Sequence, residues 1–181
     1  MIAEELKKCY WLVKNRILAG PYPFNPGIEK PERFLQSLLG LGVDSFVDLT
    51  EEDELMHYQK VLAGLSGSRN LHYQRFAIED YSVPDHEVMQ KIQHYLKSEI
   101  ESGRCVYLHC FGGIGRTGTV AGCYLVEKGL SGAEALRQLD LCFRESESSS
   151  WARTPETDEQ ISFVAGWKSL NHGSSGSKDP S

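Results

Sequence analysis

His109-Cys110-Phe111-Gly112-Gly113-Ile114-Gly115-Arg116-Thr117-Gly118 is the stretch on which the reading of this chain turns. An apolar run, Cys105-Val106-Tyr107-Leu108, leads into it, and Thr119-Val120-Ala121-Gly122-Cys123-Tyr124-Leu125-Val126 leads out. The first run suits a buried strand and the second a helix. Strand, glycine-rich loop and helix start together turn backbone N–H groups onto an anion. Side chains at 112, 113 and 115 would fill such a cradle or forbid its dihedrals, and all three are glycine. Phe111, Gly112, Gly113, Ile114 and Gly115 are therefore the expected phosphate-binding segment. Arg116 falls in the first helical turn, where its planar fork can hold two phosphate oxygens. The helix N-terminus adds about half a positive charge. In those surroundings Cys110 is expected to be a thiolate, hence an activated nucleophile. Thr117 can give its hydroxyl to the sulfur and ease its departure. Among five cysteines, only Cys110 has an arginine six positions downstream.

Outward from this loop, apolar runs alternate with helical stripes. Residues 43–49 and 104–109 read as buried parallel strands, and 71–78 as a more polar strand nearer an edge. Phe34, Leu35, Leu38 and Leu39 share one helical face. Val88, Ile92, Tyr95, Leu96 and Ile100 make a second stripe, and helices are also expected over 133–143 and 156–170. Strand–helix alternation predicts an α/β fold: a single-domain three-layer sandwich over residues 1–170, with a mainly parallel central sheet and helices on both faces. Ligands of such sheets bind beyond the carboxyl ends of the strands, where Cys110 sits. Residues 171–181 carry glycine, serine and charge without apolar content and read as a disordered tail.

Composition narrows the class. The 181 residues suffice to bury roughly 70% of the unfolded surface in one domain. Apolar content of 40% and charged content of 24% are ordinary for a globular chain. A net charge of −6 without basic runs speaks against nucleic acid as a partner. The acidic opening, Met1-Ile2-Ala3-Glu4-Glu5, lacks a signal-peptide pattern, and no apolar stretch approaches membrane-spanning length. The cysteines show neither paired-ligand spacing nor a disulfide framework. A free catalytic thiol needs a reducing compartment, so a cytoplasmic protein is expected; it is also expected to be a monomer.

A proton donor is also required, because an alkoxide or phenoxide leaves poorly. Glu79, Asp80 and Asp85 follow the 71–78 strand. Asp85 has another explanation, since Ser82 and Asp85 could form a capping box. Asp80 has no evident capping duty. Thr154-Pro155-Glu156 reads as a helix start, with the threonine as N-cap and proline at the first position.

His-Cys, five residues, then Arg-Thr-Gly resembles the signature of the cysteine-dependent protein tyrosine phosphatase superfamily, in its compact dual-specificity-like, bacterial-type branch. The resemblance implies phosphomonoester hydrolysis through a phosphocysteine on Cys110. It implies Arg116 as the phosphate clamp, Asp80 as general acid and then base, and no metal or other cofactor. His109 would sit behind the cysteine, held by backbone groups, and tune the thiolate. The stretch 153–160 is similar to the family segment whose glutamine, Gln160 here, places the attacking water. Leu18 to Pro23 resembles an element near the pocket rim, with Tyr22 at the entrance or in a proline-braced turn. Lys14-Asn15-Arg16 matches part of a phosphotyrosine-recognition loop, but Ile17 stands where an aromatic would be needed, and the match is set aside. The loop between Cys110 and Arg116 lacks the lysines of inositol-phospholipid phosphatases. This favours phosphoproteins as partners, phosphotyrosine ahead of phosphoserine and phosphothreonine. The alternatives are a phosphoinositide or small phosphate ester, then a phosphate-binding pseudophosphatase.

Overall fold

The computed structural model describes residues 4–168, so the expected tail at 171–181 lies outside the described residues. Five strands form one sheet: β1 (Tyr10–Val13), β2 (Ile17–Gly20), β3 (Ser45–Asp48), β4 (His72–Arg75) and β5 (Val106–His109). Six helices accompany them: α1 (Pro31–Gly40), α2 (Gln59–Ser66), α3 (His86–Glu101), α4 (Gly115–Glu127), α5 (Gly132–Phe143) and α6 (Asp158–Gly166). The strand order is β1-β2-β5-β3-β4; β1 runs antiparallel to β2 and every other pairing is parallel. The α/β architecture with a mostly parallel sheet is as expected.

Alternation along the strands builds two cores, because successive side chains point to opposite faces. Ile17, Ala19, Val47, Val106 and Leu108 join apolar residues of α3, α4, α5 and α6. Leu18, Phe46 and Tyr107, one position out of phase, join Phe34, Leu35, Leu38 and Leu62 of α1 and α2. With β5 central and buried on both faces, its whole length is apolar up to His109. β4, the polar strand, is the edge. Register aligns Gly20 and Asp48 with His109, so β2, β3 and β5 end level on one side of the sheet.

Two local expectations are corrected, and one element is added. Asp85 is the N-cap of α3 without a side-chain bond, and Ser82 donates to the Val83 carbonyl, so no capping box joins them. Pro84 explains this: the residue before a proline is driven out of the helical region, and α3 begins only beyond it. The last helix starts at Asp158, with Thr157 as N-cap and Gln160 completing a capping box. Thr154 instead donates to the Ile114 carbonyl, which leaves the 154–156 segment as a strap across the start of α4. The hairpin β1–β2 was not expected from the sequence. Lys14 to Arg16 form its turn, with Asn15 at a φ of 58°, a conformation asparagine tolerates.

Candidate active site

The 110–116 loop joins the end of β5 to the start of α4, and its shape is fixed from outside. Tyr22 N–H and Asn25 Nδ2 both donate to the Phe111 carbonyl, each at 2.9 Å. Gly113 has a φ of 74°, and a Cβ there would lie 2.3 Å from the Gly20 carbonyl carbon. Only glycine meets both demands. Cys110, 3% exposed, lines a 250 Å³ cavity with Asp80, Tyr81, Phe111, Trp151 and Glu156.

Arg116 is buried to 1% exposure. Its two terminal nitrogens donate to the two Glu54 carboxylate oxygens at 2.7 Å each, and Nη1 also reaches the Ile78 carbonyl at 3.0 Å. Nη2 lies 3.0 Å from Asp80 Oδ1. Burial works to lower the arginine's pKa, but the Glu54 bonds and nearby negative charge raise it above its ordinary value, so it stays a cation. Burial likewise pushes Glu54 up, and the Arg116 bonds outweigh that and hold it ionised. The sequence reading missed Glu54. Its signal was the run Glu51-Glu52-Asp53-Glu54 just beyond a site-side strand, though nothing in the run singles out the fourth residue. Arg116 Nε and the Thr117 hydroxyl are buried without a partner among the described residues. Thr117 thus makes no bond to the sulfur here, while its hydroxyl stays uncommitted.

His109 lies behind Cys110, with a side-chain partner in addition to the expected backbone contact. Its Nε2 meets the Tyr58 hydroxyl at 2.7 Å, and Nδ1 lies 3.9 Å from Asp48 Oδ1. The ring lies edge-on to Tyr22, tilted against Tyr58 and stacked on Tyr107, and the Cys110 backbone also acts on it. Burial lowers its pKa below the ordinary value. Burial pushes Asp48 up, but His109, Thr50 and Tyr73 more than offset that and keep it ionised. Tyr22 is fully buried, donates to the Met56 carbonyl at 3.2 Å and does not reach the entrance.

Asp80 is at the pocket as expected, half-exposed, its Oδ1 also accepting from the Tyr81 N–H at 3.1 Å. Glu79 is exposed and does not line the cavity. Gln160 is fully buried with both ends of its amide engaged. Oε1 accepts from the Glu156 and Thr157 N–H groups at 3.1 Å, and Nε2 donates to the Ser82 carbonyl at 3.1 Å. In this arrangement it ties two loops together through Oε1 and one of the two Nε2 hydrogens.

Residues 6–162 match the family model described as the Swiss Army Knife protein, DSP-PTPase phosphatase domain. The chain belongs to that family. An uncharacterized protein of Methanocaldococcus jannaschii is 38% identical over 88 residues, which is 48% of this chain and 53% of the relative. The chain therefore spans about half the length of that curated relative. The active form of Tk-PTP superposes with a TM-score of 0.69 at 25% identity, covering 87% of this chain and 93% of Tk-PTP. PTPMT1 in complex with PI(5)P superposes at 0.66 with 18% identity, covering 88% and 94%, a likeness of fold. Among the described residues no helix is long and apolar enough to cross a membrane.

Proposed function

We propose that this phosphatase-family protein hydrolyses phosphomonoesters through a phosphocysteine, with phosphotyrosine in proteins as the favoured substrate. One observation carries the reading: Cys110 lines the same cavity as Asp80, and Asp80 is joined to Arg116 at the start of the helix beyond the loop. In the first step Cys110 Sγ attacks phosphorus, an S–P bond forms, and the ester P–O bond breaks. Asp80 gives its proton to the leaving oxygen. In the second, water attacks phosphorus, its proton passes to Asp80, and the S–P bond breaks to return the thiolate. Arg116 Nε and the Thr117 hydroxyl, both uncommitted, serve a phosphate oxygen and the departing sulfur. Glu54 holds the guanidinium in register, and Gln160 positions loops.

The rim supports an aromatic ester. Tyr81, Trp151 and Phe111 are 62%, 69% and 40% exposed around the cavity mouth, and flat apolar faces there suit a phenyl ring. Lys8 also lines the cavity and favours a second reading, in which an inositol phosphate or phosphoinositide takes the site. Turnover of p-nitrophenyl phosphate with a chelator present tests the chemistry. A kcat/KM comparison across phosphotyrosine, phosphoserine, phosphothreonine and inositol lipids tests the substrate. Binding without release of nitrophenol would favour the pseudophosphatase, and a preference for the lipid would favour the second reading.

A further inference from the structure

Glu156 has no role in the scheme above, yet it stands at the same cavity as Cys110 and Asp80. Its Oε2 lies 3.1 Å from where a Cβ on Gly115 would be, which places the carboxyl beside the junction of the loop and α4. The segment carrying it is pinned at both ends. Thr154 Oγ1 donates to the Ile114 carbonyl at 2.8 Å, and the Glu156 and Thr157 amides donate to Gln160 Oε1. Gln160 Nε2 then reaches Ser82, two residues beyond Asp80. A single buried amide therefore fixes the spacing between the two carboxyl-bearing loops. Such pinning has an evident use if both carboxyls face one reacting group.

The two carboxyls differ in their surroundings. Asp80 Oδ1 is engaged by Arg116 and by the Tyr81 N–H. The Glu156 carboxyl accepts no hydrogen bond among the described residues, and it is left for a ligand oxygen. We infer that Glu156 is a second proton-transfer carboxyl of this active site, sharing with Asp80 the donation to the leaving oxygen. Partial burial and the Asp80 charge raise its pKa above the ordinary glutamate value, with Arg116 opposing, so it retains a proton closer to neutral pH. Paired acids whose surroundings separate their proton affinities commonly divide acid and base duty. Here either carboxyl can give its proton to the leaving oxygen as the P–O bond breaks. Asp80 takes the proton of the attacking water, and solvent restores both.

This rests on the phosphocysteine reading, and the test separates the two. Phenyl phosphate and p-nitrophenyl phosphate are compared as substrates for wild type, Glu156→Gln, Glu156→Asp, Asp80→Asn and the Asp80/Glu156 double variant, with kcat/KM followed against pH. A lost general acid costs about 10²–10⁴-fold where the leaving group is poor. Glu156→Gln is expected to lose at least tenfold more on phenyl phosphate than on the nitrophenyl ester. Its alkaline limb should shift, Glu156→Asp should recover part of the loss, and the double variant should fall beyond either single one. The cap uses the Glu156 backbone N–H, so the Glu156 single variants should melt like wild type. Equal losses on both esters, or none, would overturn the role of Glu156 while Cys110-dependent turnover persisted. Wild-type turnover by Cys110→Ser would instead bring down the underlying reading.

Discussion

Arg116 is the residue on which the site's charge balance rests. A fully buried guanidinium is costly unless its charge is compensated, and Glu54, Asp80 and the Ile78 carbonyl do this at its two terminal nitrogens while Nε stays open. Glu54→Gln removes one charge of the pair and leaves the cation under-compensated. A hydrogen bond to a charged group contributes about 1.5–3 kcal/mol. Loss of aim at Arg116 should therefore lower kcat/KM by roughly ten- to a hundredfold and Tm by several degrees. Steady-state kinetics and a thermal melt check this; a Glu54→Gln enzyme with wild-type kinetics would show that Asp80 and Ile78 suffice. At this scale the sequence was partly legible. Cys110, Arg116 and Asp80 sit together because the loop and the strand ends impose it. Glu54, Glu156 and the Tyr58 grip on His109 come from distant segments, and no spacing rule links them to the loop.

Among the elements, the phosphate loop makes a sharper prediction, because its two adjacent glycines face different surroundings. An added Cβ at Gly112 would meet Ile114 Cδ1 at 3.6 Å, an ordinary contact. At Gly113 it would meet the Gly20 backbone at 2.3 Å with φ at 74°. Gly113→Ala should then lose phosphate affinity and most turnover with its far-ultraviolet dichroism intact, while Gly112→Ala should retain the fold and phosphate binding. Titration with inorganic phosphate measures both, and equal behaviour of the two variants would contradict the packing argument. Strands β3 and β5 were readable because buried parallel strands are continuous apolar runs. The 86–101 helix was readable from its 3.6-residue stripe. The hairpin was not, since Tyr10–Val13 and Ile17–Gly20 are four residues each and too short to show a period. The start of α6 was misplaced because Thr154-Pro155 and Thr157 both carry capping chemistry, and only the docking of Thr154 on Ile114 decides between them.

For the whole molecule, the buried His109 ties stability to pH. Burial lowers its pKa in the fold from 6.5, and the unfolded chain keeps the ordinary value. Below about pH 6.5 the unfolded chain binds a proton that the folded chain refuses. Stability should thus fall as pH drops from about 6.5 toward the folded value, by up to about 1.4 kcal/mol per pH unit. Above that window both states are neutral and His109 contributes no slope. The lowered Asp48 pKa acts lower on the scale: its stabilisation is present above the unfolded aspartate value and is lost as pH falls through the folded one. Urea unfolding between pH 7.5 and pH 5.5 tests the histidine window (both about a unit from the ordinary histidine value). The wild-type slope should flatten in His109→Gln, and an unchanged slope would assign the proton elsewhere.

In the proposed function, the two cores on either face of the sheet, the level strand ends and the loop between β5 and α4 all serve to hold one sulfur over one phosphate. Rapid acid quench of the enzyme turning over p-nitrophenyl phosphate, followed by peptide mass analysis, reads that directly. The predicted result is a single phosphoryl group on the peptide bearing Cys110, more abundant when Asp80→Asn slows the second step and absent in Cys110→Ser. A turning-over enzyme that shows no phosphorylated Cys110, or whose Cys110→Ser variant releases nitrophenol at the wild-type rate, would contradict the account.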